Sequence, residues 1–145
     1  MTTAAVVAYY RQEGEARVSY AGHPPVLFKR GTDKAWSFAR QSNSPDKGNG
    51  HPVNIPLAVV ADATYGQLTI PVTAADRIFI YSDGLIDAPN SRGESFGLSR
   101  LKDVLDANID ATPAALKYSV LGALHQHTEE KLTHDDVTMI VMEIC

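Results

Sequence analysis

Two periodicities divide this chain, and their order constrains the fold more than any other feature. Segments that alternate every second residue come first, two segments with helical spacing follow, and one strand-like run closes the sequence. Ala4-Ala5-Val6-Val7-Ala8-Tyr9-Tyr10 is short and rich in β-formers. Glu13-Gly14-Glu15 signals a turn, and Ala16-Arg17-Val18-Ser19-Tyr20 alternates as a half-buried strand does. The two runs are expected to form a hairpin with a loop of three to five residues. Past Ala21-Gly22-His23-Pro24-Pro25, Val26–Lys29 resumes as a strand, and Ala35–Phe38 is expected to pair with it. Gln67–Val72 and Arg77–Ser82 are further strands, and Val137–Met142 is the last. Residues 41–56 are dense in Gly, Pro, Asn and Ser, and read as a loop.

The helical segments lie between the last two strands. Leu98, Leu101, Val104 and Leu105 follow helical spacing from a start at Ser95 or Phe96-Gly97. A second helix is expected from Thr112-Pro113, with threonine as cap and proline in the first turn. Leu116, Val120, Leu121 and Leu124 form its apolar face. Strands joined by hairpins imply an antiparallel sheet, and helices collected late imply an α+β fold.

Composition narrows the function classes. With 145 residues, 44% hydrophobic and 21% charged, the chain suits one globular domain. A net charge of −4 gives no electrostatic reason to expect nucleic acid or an anionic membrane as partner. The single cysteine, Cys145, rules out an internal disulfide and a thiolate zinc cluster, and fits a reducing, cytoplasmic setting. No apolar run approaches the ~20 residues that span a bilayer, and no basic region precedes the first apolar residues as in a signal peptide.

Three places can carry chemistry. Asp83 follows the apolar run Arg77–Ser82 and precedes Gly84, and Asp135-Asp136 precedes the last strand. A carboxylate at a strand end is held by a stiff sheet yet can face a cleft. Two such strands side by side would bring Asp83 and Asp135 together. Paired carboxylates repel unless a cation or shared proton compensates, and oxygen-only ligands select hard ions such as Mg²⁺ or Mn²⁺. Gly84 would let the backbone turn sharply beside the ion. Against this, Asp-Gly is a common turn and Asp-Asp a common cap. His23, in its Gly/Pro turn, could be an acid or a ligand, but a lone histidine there is more often a structural hydrogen-bonder. His125, His127 and His134 read as surface residues.

Together, Ala21-Gly22-His23-Pro24-Pro25, Tyr81-Ser82-Asp83-Gly84-Leu85-Ile86-Asp87-Ala88, Phe96-Gly97 with Leu101, and Asp135-Asp136-Val137-Thr138 resemble the metal-dependent protein phosphatase (PPM) family. The branch they are most similar to is the bacterial stage II sporulation protein E type. The resemblance implies a four-layer αββα sandwich with two Mn²⁺ or Mg²⁺ ions in a cleft at one end of the sheets. It implies that Asp83 and Asp135 are metal ligands, with Gly84, Asp136 and His23 near the site. The ions would activate a water that attacks phosphoserine or phosphothreonine in line, without a covalent phosphoenzyme. The typical substrate of this branch is a phosphorylated regulatory protein such as an anti-sigma-factor antagonist.

Two departures qualify the resemblance. The family domain usually has a longer N-terminal portion, whose Gly-Asp-x-x-Asp type motif bridges the metals, and Met1–Ala21 does not supply it. Residues 1–145 are therefore expected to be a single domain that is the C-terminal portion of a phosphatase domain, inactive alone. Open sheet edges are then expected to favour a homodimer or other self-association. Ala58 also stands where the family pattern usually has glycine. A non-catalytic interaction module of the same fold is the alternative function, and an unrelated α+β domain a more distant one.

Overall fold

The computed structural model describes residues 2–39, 55–129 and 135–145. The loop expected over 41–56 lies outside them except for its last two residues, and so does His134. Strands β1 (Ala4–Tyr10) and β2 (Glu15–Ala21) form the expected hairpin, with Tyr10 opposite Glu15. Strand β3 (Leu27–Lys29) pairs with β4 (Ser37–Phe38), also as expected. Then come β5 (Gln67–Pro71), β6 (Arg77–Tyr81), helices α1 (Asp83–Ile86), α2 (Gly97–Ala107) and α3 (Pro113–Thr128), and β7 (Met139–Glu143). The strands form two antiparallel sheets, ordered β1-β2-β5 and β4-β3-β6-β7.

Side-chain alternation makes two cores from these strands. Along β6, Ile78 and Ile80 face the first sheet, and with Phe28 of β3 they pack against Ala16, Val18, Leu68 and Ile70. Phe79 and Tyr81 face the other way, onto Leu85, Phe96, Leu101, Leu105, Leu116, Val120 and Leu124 of the helical layer. A strand buried on both faces reads as a continuous apolar run, because each successive residue enters a different core. The described residues thus supply three layers, helix on sheet on sheet, of the four that the resemblance implies. The outer face of β1-β2-β5 carries Val6, 61% exposed, in register with Ser19.

The helices end where local chemistry dictates. Thr112 caps α3, its Oγ1 accepting from the N–H of Ala115 at 3.2 Å, with Pro113 at the first position. Leu116, Val120 and Leu124 are fully buried, while Leu121 is half-buried. His127 is a correction to its expected surface role. Its Nε2 donates to the carbonyl of Glu94 at 2.9 Å and its ring packs edge-on to Phe96, so it ties α3 to the loop before α2.

At the far end of the sheets, Asp76 is buried and ties the Arg30-Gly31 turn to its own turn at Thr73. Its carboxylate accepts from the N–H groups of Gly31 (2.8 Å) and Thr73 (3.0 Å) and from Arg30 Nη1 (2.9 Å). Burial pushes its pKa up, but those donors outweigh it and hold the carboxyl below its ordinary value.

Candidate metal-binding site at one end of the sheets

The antiparallel register of β6 and β7 fixes where the two aspartate segments meet. Tyr81 is opposite Met139, so the chain leaves β6 toward Asp83 just where it arrives from Asp135 to begin β7. Pairing continues one residue beyond the strands. Ser82 N–H donates to the Thr138 carbonyl at 3.0 Å. Thr138 N–H donates to Ser82 Oγ at 3.0 Å, and that hydroxyl donates to the Asp136 carbonyl at 3.3 Å. Ser82 is the N-cap of α1, yet its side chain makes no capping bond. The hydroxyl is directed across to the other segment instead.

Gly84 completes the contact, in a way that corrects the expected reason for it. Asp83-Gly84 does not make a sharp turn; it opens α1, a helical turn absent from the expected set of elements. Gly84 is not among the glycines with positive φ. What requires glycine is space: a Cβ there would overlap the Asp136 carbonyl oxygen, lie 3.1 Å from its carbon, and reach within 3.5 Å of the Asp135 Cβ. The start of α1 therefore lies directly on the Asp135-Asp136 backbone.

Both aspartates are exposed and oriented. Asp83 Oδ1 accepts from the N–H of Gly84 at 3.0 Å, and Asp135 Oδ1 accepts from the N–H of Asp136 at 2.8 Å. Carboxylate oxygens are hard donors suited to Mg²⁺ or Mn²⁺, and Mg²⁺ is commonly held by one or two carboxylates with water and substrate phosphate completing its shell. Asp83 and Asp135 fit that minimal set. They are not a closed cage, since no group of three or more His, Cys, Asp or Glu gathers to hold an ion among the described residues.

The His23 loop lies at the same end. Leu27 of β3 is opposite Phe79 of β6, so the residues preceding β3 sit where β6 finishes. Gly22 has a φ of +63°, and a Cβ there would come within 2.5 Å of the Pro56 ring. His23 is half-buried, and its Nδ1 donates to the carbonyl of Pro24 at 2.8 Å. That bond, within its own loop, fits the structural role weighed for it above.

Comparisons with known proteins match the chain's sequence and fold. Residues 1–144 match the family model described as Stage II sporulation protein E (SpoIIE). The chain is 25% identical over 130 residues to phosphoserine phosphatase RsbP of Bacillus subtilis (strain 168), covering 88% of this chain and 28% of RsbP. It superposes on the manganese-soaked phosphatase domain of SpoIIE from Bacillus subtilis with a TM-score of 0.71 at 17% identity, covering 99% of this chain and 56% of that one. On the SiaA-PP2C domain of Pseudomonas aeruginosa the TM-score is 0.74 at 15% identity, covering 99% and 52%. The chain thus spans little more than half of each of these phosphatase domains, and about a quarter of RsbP.

Proposed function

Because the chain belongs to the stage II sporulation protein E family, we propose that it forms the C-terminal portion of a metal-dependent serine/threonine phosphatase domain. Its substrate class is a phosphorylated regulatory protein, such as an anti-sigma-factor antagonist, in the cytoplasm. One observation carries this proposal: Ser82–Gly84 and Asp135–Thr138 are locked together at the end of the sheets, so two exposed carboxylates come from adjoining segments. Asp83 and Asp135 would hold Mn²⁺ or Mg²⁺, and Asp136 would support the loop through its backbone carbonyl. A divalent ion bound there supplies positive charge for the phosphoryl oxygens during transfer. The sheets supply the stiff mounting, and exposure of both side chains leaves room for a protein-borne phosphate.

The test is phosphate release from a phosphoserine-bearing protein by the full-length protein that carries this sequence, with Mn²⁺ and with chelator. Metal-dependent turnover lost in Asp83→Asn, with the fold retained, is the expected result. Turnover unchanged in that variant would remove the metal role.

A second function has one observation in its favour. Among the described residues the acidic set stops short of a cluster able to enclose an ion. This portion would then act as a non-catalytic interaction module, binding its partner equally with and without Mn²⁺. Self-association belongs with either function: among the described residues β1 pairs only with β2, and its outward side chains include Val6 and Tyr10, with no charged residue along the strand.

A further inference from the structure

We infer that Ser82 is a positioning residue for the metal site, its hydroxyl setting the Asp135 segment against Asp83. This inference rests on the metal-binding proposal above. A serine at a helix N-cap ordinarily turns its oxygen toward the first free N–H groups of its own helix. Ser82 does not: its Oγ accepts from Thr138 N–H and donates to the Asp136 carbonyl, so one hydroxyl uses both hydrogen-bonding roles on the opposite segment. Its backbone N–H bonds Thr138 as well. Asp83 is the next residue along one chain, and Asp135 adjoins the bonded Asp136 on the other. The three bonds therefore fix the offset between the two carboxylate-bearing segments, and the bare Cα of Gly84 lets them close. Groups that orient metal ligands from outside the coordination shell commonly affect metal affinity by tenfold or more.

Ser82→Ala and Ser82→Thr separate this role from simple packing. In the full-length protein that carries this sequence, Mn²⁺ affinity is measured by titration and the Thr138 amide by hydrogen exchange. Ser82→Ala is expected to exchange faster at Thr138, with amides inside the β6–β7 ladder unchanged, and to bind Mn²⁺ about tenfold more weakly. Ser82→Thr keeps the hydroxyl and is expected to restore both; a folded Thr variant that restores neither overturns the inference. Unchanged exchange at Thr138 in Ser82→Ala also overturns it. So does unchanged Mn²⁺ affinity in Ser82→Ala alongside weakened binding in Asp83→Asn, a result that leaves the metal proposal standing. If Asp83→Asn itself leaves Mn²⁺ binding unchanged, the metal proposal fails and this inference falls with it.

Discussion

Gly84 rests against the carbonyl group of Asp136 with no room for a Cβ between them. Alanine is a better helix former than glycine, so Gly84→Ala would stabilise an isolated α1. Here the overlap is with backbone, which cannot rotate aside. Gly84→Ala is expected to lower the unfolding free energy by about 2 kcal/mol, in the range of overpacked sites. Urea denaturation of the two chains checks the sign, and a stabilised variant would show that the two segments separate easily.

Asp135 and Asp136 are neighbours with different expected weights. Asp136 contributes its carbonyl to the Ser82 bracket, which a side-chain change leaves in place. Asp135→Asn is expected to weaken Mn²⁺ binding by more than Asp136→Asn does. Calorimetric titration of both variants decides between them.

Tyr81 closes β6 with its side chain 1% exposed, and its hydroxyl has no hydrogen-bond partner among the described residues. Burial pushes its ionisation upward, so the phenol is neutral at any ordinary pH. An unmet buried hydroxyl is unfavourable, and its removal should help. Tyr81→Phe is expected to raise stability by about 1 kcal/mol, seen as a higher denaturant midpoint. A loss of similar size would reveal a bridging water.

Ala58 occupies the left-handed region at a φ of +60°. A side chain there costs roughly 1–2 kcal/mol relative to the right-handed region, while glycine adopts it freely at some cost in unfolded-chain entropy. Ala58→Gly is therefore expected to stabilise by up to about 1 kcal/mol. Thermal melting is the check, and a clear drop would mean that the Ala58 methyl makes contacts worth more than the strain.

Asp76 links stability to pH. Its folded pKa is lowered, so its contribution is fully present above the ordinary carboxylate value of about 3.9 and is lost as pH falls through the folded value. Asp76→Asn is expected to cost about 2 kcal/mol at neutral pH, the scale of hydrogen bonds to a charged group. It should also flatten the acid limb of the stability curve below about pH 4. Urea titrations across that range measure both effects.

Much of this molecule was legible in the sequence because the signals were local. Alternation located β2 and β5, and runs of β-forming or apolar residues located β1 and β6, to within a residue or two, while Thr112-Pro113 located the start of α3. The aspartate segments were legible too, as residue types at strand ends. Three features were not. The turn of helix at Asp83–Ile86 is too short for a period to show. His127 looked like a surface residue because its partners, Glu94 and Phe96, lie some thirty positions away in the chain. The need for glycine at position 84 looked like backbone freedom, yet its cause is a neighbour 52 positions later.

By itself, then, the sequence determined the elements and the chemical types at their ends, since side-chain periodicity and capping act within a few residues. Tertiary structure decided which ends meet. The antiparallel register of Tyr81 with Met139 brings Asp83 beside Asp135, and the bonds of Ser82 to Thr138 and Asp136 hold them there. Those contacts follow from how two cores bury opposite faces of β6, a long-range packing that local periodicity does not encode.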